Sequence, residues 1–291
     1  MAGDVDQLRA YVEYFRDMGV HDFYRRGEPV LPEVVADVAV AETVPEPSPA
    51  RVVPAPVVAA REYKTPVVVA KPDFLEPPIP KLVSFDGLAP LPESRVAAAA
   101  KADALRAIHE EIGDCTRCPL AYAGRHSIVF GDGDPGARLM FVGEGPGADE
   151  DASGVPFVGK AGQLLNNMIG AMGLKREEVY IANIVKCRPP ANRVPEPVEA
   201  NTCSQFLLRQ IDVVQPQVIV ALGATAAMYL LGVKQSLSSL RGRWHGCRGA
   251  KLAVTYHPAF LLRDPRQKGE AWKDLQMVMT EMGLKAGAAR G

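Results

Sequence analysis

The chain has 291 residues, 47% of them hydrophobic and 23% charged, with a net charge of −1. That is the composition of one or two globular domains. It lacks the run of about eighteen apolar residues that a membrane helix needs, and its opening, MAGDVDQLRA, lacks the apolar core of a secretory signal. A cytoplasmic protein that does not act in a membrane is expected. The charge is uneven. Residues 1–95 hold 10 Lys/Arg against 15 Asp/Glu, and the remainder holds 23 against 19. The basic excess, which nucleic-acid binding requires on one face, sits in the C-terminal part.

Residues 4–18 carry Val5, Leu8, Val12, Phe15 and Met18 at helical spacing behind a capping pair, Asp4 and Gln7. This predicts a short amphipathic segment within 1–28, too small to fold alone and suited to docking on the main domain or a protein partner. Residues 41–95 contain 12 prolines, which forbid regular helix and central strand. The stretch 29–95 is therefore expected to be a largely disordered linker, and 96–291 the functional domain.

From residue 96 the texture changes. A helix is expected within 94–112. Four short apolar runs, 138–144, 179–186, 218–223 and 251–257, read as strands, with helices at 162–173, 196–213, 224–232 and 268–283. Alternation of this kind implies an α/β fold with a parallel sheet covered on both faces. In such sheets the site lies beyond the carboxyl ends of the strands, which here are Glu144, Lys186, Gly223 and His257.

Five cysteines, an odd number, argue against a disulfide framework. Cys115 and Cys118 form a Cys-x2-Cys pair, followed far along by Cys187 and Cys203. Four thiolates from three segments suit zinc or an iron–sulfur cluster equally well. Cys247 lies apart and is expected to be unligated.

Two further segments, GEGPGADEDASGVPFVGKAGQLL (143–165) and HPAFLLRDP (257–265), together with these cysteines, resemble the family 4 uracil-DNA glycosylases, from about residue 110 to 283. The resemblance implies a three-layer α/β/α sandwich around a four-stranded parallel sheet, and an enzyme that hydrolyses the glycosidic bond of deoxyuridine in single- or double-stranded DNA; a monomer is expected at this size. It also implies a [4Fe–4S] cluster on Cys115, Cys118, Cys187 and Cys203. A base in a duplex must be flipped out before such chemistry, so the site needs a stacking surface, a reader of the base edge, a stabiliser for the departing anion and a placed water.

By resemblance Glu144 positions that water; a carboxylate there would also stabilise a cationic sugar. Gly145 and Pro146 form the turn against the base. GEGPGADE continues into Asp, Ser, Gly and Pro rather than a helix, which sets it apart from a dinucleotide-binding fold. Phe157 is expected to stack on uracil. Asn183 offers an amide donor and acceptor that match uracil O4 and N3–H and mismatch cytosine. By resemblance His257 donates to uracil O2 as negative charge builds there. The residues after His257 are expected to form an apolar loop suited to a wedge: Leu261 to fill the vacated base stack, with Leu262 in the core, and Arg263 to meet phosphate. Lys160, Arg188, Arg193 and Arg243 are further candidate phosphate contacts, and Glu150 a candidate gate against the thymine methyl. Other glycosylase families carry Asp and Tyr where Gly145 and Gly147 stand here. A related branch that captures uracil-DNA covalently uses a basic His-containing loop, where this chain reads CRPPANRVP. Turnover is expected rather than capture. A non-catalytic iron–sulfur DNA-binding module and a zinc protein are the competing readings.

Overall fold

The computed structural model describes residues 82–285. The expected helix at 4–18 and the linker up to 81 lie outside them. Six strands form one sheet: β1 (Asp132–Gly133), β2 (Leu139–Gly143), β3 (Tyr180–Asn183), β4 (Val218–Leu222), β5 (His245–Cys247) and β6 (Ala250–Thr255), in the order β1-β3-β2-β4-β6-β5. β3, β2, β4 and β6 run parallel; the short edge strands β1 and β5 pair antiparallel with β3 and β6. The sheet is therefore mixed and six-stranded rather than four-stranded and parallel. The two edge strands escape the sequence because runs of two and three residues carry no alternation to read.

The interior strands are buried on both faces, as their unbroken aliphatic runs require. Met140, Val142, Ala182, Ile219, Ala221 and Val254 point to one side. There they pack with α1 (Lys101–Ile112), α4 (Pro197–Val214) and α5 (Ala224–Leu231). Phe141, Ile181, Val220 and Ala253 point to the other, against α3 (Lys160–Ala171) and α7 (Lys268–Met282). These are the three layers. β2 is central: the chain leaves it for β3 on one side and later returns to β4 on the other. This switch opens a crevice at the carboxyl end of β2.

Three expectations are corrected. Residues 82–95 are not linker. Phe85 is buried, the backbone N–H of Arg248 donates to Asp86 Oδ1 at 2.6 Å, and the Arg248 guanidinium donates to the carbonyls of Ala89 and Pro90. One aromatic anchor, on a single helical turn (Phe85–Leu88), and one arginine fork hold a proline-rich stretch that is otherwise irregular. Secondly, Ala148–Ser153 forms a short helix, α2, directly after Gly147; Glu150 closes its first turn by accepting from the Gly147 N–H, and Gly154 ends it at φ +75°. Thirdly, residues 258–263 form a helical turn, α6 (Pro258–Arg263), rather than a loop.

Candidate active site and cysteine centre

The carboxyl ends of all four parallel strands meet at one place. Gly143 ends β2 and is paired in register with Asn183, which ends β3. Its missing side chain is what lets the site form: a Cβ there would come within 2.4 Å of Asn183 Oδ1 and 2.6 Å of the Phe157 ring. The Phe157 ring in turn lies 5.6 Å from the His257 ring, centroid to centroid, and tilted by 35°. Gly223, just beyond β4, abuts the His257 side chain. Phe157, Asn183 and His257 are thus brought together at the topological switch. Glu144 follows Gly143 directly and is half-buried; Gly145 packs against Val185, and Pro146 is buried.

Asn183 is 1% exposed and its Oδ1 has no hydrogen-bond partner among the described residues. A buried amide oxygen without a partner costs about 1–3 kcal/mol, so the site holds an acceptor aimed at something that donates. The Asn183 backbone is fixed from below. Lys186 Nζ, fully buried, donates to the Asn183 carbonyl at 3.0 Å and to Gln210 Oε1 at 2.6 Å; Gln210 Nε2 donates to the Phe130 carbonyl and the Tyr180 hydroxyl. Burial pulls the Lys186 ammonium down to about 8.

His257 caps α6. Its Nδ1 accepts from the Ala259 N–H at 3.1 Å, which assigns the proton to Nε2. Burial, helped by the charge of Arg263 and opposed by Glu150, pulls its pKa down to about 4. The imidazole is therefore neutral at neutral pH and presents one fixed N–H donor.

Phe157 has φ +54°. For a bulky side chain this is a strained conformation costing about 1–3 kcal/mol, and such strain gathers at functional sites. The Glu150 carboxylate accepts from the N–H groups of Gly147, Val158 and Gly159, each at 3.0 Å. These contacts tie it to the backbone on both sides of the ring.

The helical period reverses the burial expected of the two leucines. Within α6, Pro258 and Leu261 share the inward face, and Leu261 is 1% exposed against Leu164, Leu275 and Trp272. Leu262 is 43% exposed beside exposed Arg263. Lys160 and Arg243 are exposed as well. Arg188 donates to Asn192 Oδ1, and Arg193 is not a free phosphate ligand: its fork grips the buried Glu199 at 2.7 and 2.8 Å.

Cys115, Cys118, Cys187 and Cys203 line one cavity, with Arg125 and Lys186 beside them. The Arg125 guanidinium donates to Cys187 Sγ at 3.5 Å and to the Cys115 carbonyl at 2.6 Å, and the Lys186 N–H donates to Cys203 Sγ at 3.3 Å. Burial raises the Cys118 and Cys187 thiols and pushes Cys203 up to about 12, so ionising the set requires a strong positive partner. A donor set of sulfur alone suits iron–sulfur or zinc. Among the described residues, no three His, Cys, Asp or Glu side chains are gathered tightly enough to hold a single metal ion. Cys247 is buried away from the set and likewise pushed up to about 12. Arg125 and Gln210 had no signal in the sequence, and Lys186 was marked there only as the end of its strand.

Residues 130–276 match the family model of the uracil DNA glycosylase superfamily. The type-4 uracil-DNA glycosylase of Thermotoga maritima is 48% identical over 161 residues, covering 54% of this chain and 82% of that protein. The type-4 enzyme of Pyrobaculum aerophilum is 44% identical over 181 residues, covering 60% and 92%. A type-5 uracil-DNA glycosylase of Thermus thermophilus is 29% identical over 213 residues, covering 60% and 94%. With its site at the switch point of the sheet and relatives matched over most of their length, the chain belongs to the uracil-DNA glycosylase superfamily and, within it, to the type-4 family.

Proposed function

We propose that the protein hydrolyses the N-glycosidic bond of deoxyuridine in DNA, releasing uracil and leaving an abasic site. The observation that carries this is the orphaned Asn183 Oδ1. An acceptor buried beside an aromatic ring and a fixed imidazole N–H is what uracil's edge calls for. N3–H donates to Oδ1, the Asn183 amide nitrogen donates to O4, and Nε2–H of His257 donates to O2. Cytosine has no N3–H and carries a donor in place of O4, so it would leave Oδ1 orphaned and set two donors against each other.

The steps this chain performs follow from these positions. The flipped base slides onto Phe157. As the glycosidic bond breaks, electrons move onto uracil, and the His257 N–H meets the charge building on O2 without having to give up its proton. Glu144 faces the other partner, the cationic sugar, and holds the attacking water on it. Leu262, rather than Leu261, occupies the gap in the stack, with Arg263 and Lys160 on phosphate. Leu262→Ala is expected to lower cleavage of duplex more than of single-stranded DNA, with stability changed by less than about 0.5 kcal/mol. Leu261→Ala is expected to cost about 2–5 kcal/mol of stability. Chemical denaturation and paired cleavage assays check both.

The four cysteines, which line one cavity, would suit a [4Fe–4S] cluster, the group that the resemblance to the type-4 enzymes implies. Cys115, Cys118, Cys187 and Cys203 would hold it, and it would supply a structural staple between the loop before β1, the end of β3 and α4. Cys187, which would be one of its ligands, directly follows Lys186, the residue that fixes the reader's backbone.

Recognition is tested by base release from oligonucleotides containing a single uracil. Asn183→Asp is expected to cut uracil release by roughly 10–100-fold, the loss of about 1–3 kcal/mol of matched hydrogen bonding. Unchanged release by the variant would remove Asn183 from the reader's role.

A further inference from the structure

Phe157 stands in a backbone conformation that its side chain disfavours, and the peptide units on both sides of it are gripped by opposite charges. On the amide side, Glu150 Oε1 accepts from the N–H groups of Val158 and Gly159, both at 3.0 Å, while Oε2 ties the same carboxylate to Gly147. On the carbonyl side, Arg176 reaches in from the turn that precedes β3. Its Nη2 donates to the Pro156 carbonyl at 2.6 Å and its Nη1 to the Phe157 carbonyl at 3.0 Å. The guanidinium is itself oriented by Asn166 Oδ1 at 3.1 Å and Asp132 Oδ2 at 3.3 Å. Helix α3 closes over the same carbonyl: a Cβ on Gly162 would fall 1.9 Å from the Phe157 oxygen.

We propose that Glu150 and Arg176 are positioning residues: a two-sided clamp that holds Phe157 at positive φ and so presents its ring to the flipped base between Gly143 and His257. This rests on Phe157 being the uracil platform. The chemistry of the two ends is matched to the job. Adjacent N–H groups converge on one carboxylate oxygen, and two consecutive carbonyls are spanned by a planar fork that a lysine, as a point charge, cannot reproduce. Released from either grip, the peptide relaxes toward negative φ and the ring leaves the base site.

The alternatives are that Arg176 simply stabilises the fold, or that it attracts DNA by charge. A double-substitution cycle separates them. Single-turnover uracil release is measured for wild type, Arg176→Lys, Phe157→Ala and the double variant, with Glu150→Gln as the other half of the clamp should Arg176→Lys fail to fold. The clamp predicts that Arg176→Lys slows release by roughly tenfold or more, and that the same substitution matters less than about twofold once the Phe157 ring is gone. Full activity in Arg176→Lys, or an equal loss with and without the ring, would overturn it. Crystal structures of Arg176→Lys and Glu150→Gln add a readout independent of activity. Residue 157 is expected to leave the left-handed region, and φ still near +54° in both variants would refute the clamp. If wild type released no uracil, the functional reading would fall, while these structures would still decide the clamp.

Discussion

His257→Asn is expected to slow uracil release by about 10²–10³-fold, the loss met when one preorganised donor to a developing anion is removed. Asparagine is chosen because it is itself a good helix cap, so it replaces the Nδ1 contact to the Ala259 N–H while its shorter side chain cannot return the Nε2–H donor. The same variant carries a second signature. Folding holds the His257 pKa near 4, below its ordinary 6.5. Between those values the unfolded chain binds a proton that the folded protein refuses, so stability is fully present above pH 6.5 and is lost as pH falls toward 4. For a shift of that size the loss is of order 3 kcal/mol. His257→Asn should flatten that slope in denaturation curves taken across the window. Unchanged release together with an unchanged slope would mean that His257 is neither the donor nor the desolvated group described above.

Cys203→Ser should remove the second large support. Cys203 is buried in α4 and receives the Lys186 N–H, so its loss opens the cysteine centre on a buried side. The wild-type protein is expected to be brown, with broad absorbance near roughly 400 nm from the cluster. The variant is expected to be colourless and to lose about 4 kcal/mol or more, since loss of a metal centre is among the few single changes that exceed ordinary mutational costs. Cys247→Ser, outside the set, should keep the colour. A colourless wild type containing zinc would replace the iron–sulfur assignment with the competing one. Iron content, absorbance and chemical denaturation of the three proteins decide the matter.

The parts of this protein that were legible in its sequence are those with local periodicity or chemistry. The four interior strands are continuous aliphatic runs, and their ends located the site before any side chain was placed, because a parallel sheet leaves only one edge where loops can gather catalytic groups. Asn183 was legible because a primary amide in an apolar strand needs a reason. What stayed hidden depends on geometry. Leu261 and Leu262 are chemically interchangeable, and only the helical turn of α6 decides that the first faces α3 and α7 and the second faces solvent. The three N–H groups that the Glu150 carboxylate accepts from are brought together only by the folded loop, so this task of Glu150 had no signal in the sequence. Arg176 lies 19 residues from Phe157 in the chain and has no local signal at all. Phe85 and Arg248 fasten a segment whose prolines spoke only of irregularity.

The central claim is catalysis, and the most direct measurement is repeated release of uracil from a labelled single-stranded oligonucleotide containing one uracil, read by alkaline cleavage at the abasic site, with a Glu144→Gln/His257→Asn double variant beside it. The account predicts many turnovers by the wild-type protein, strand scission at the uracil alone, and a loss of activity in the double variant while it still folds and keeps its colour. A brown, folded wild-type protein that binds uracil-DNA without releasing the base would contradict it and leave a DNA-binding module in its place.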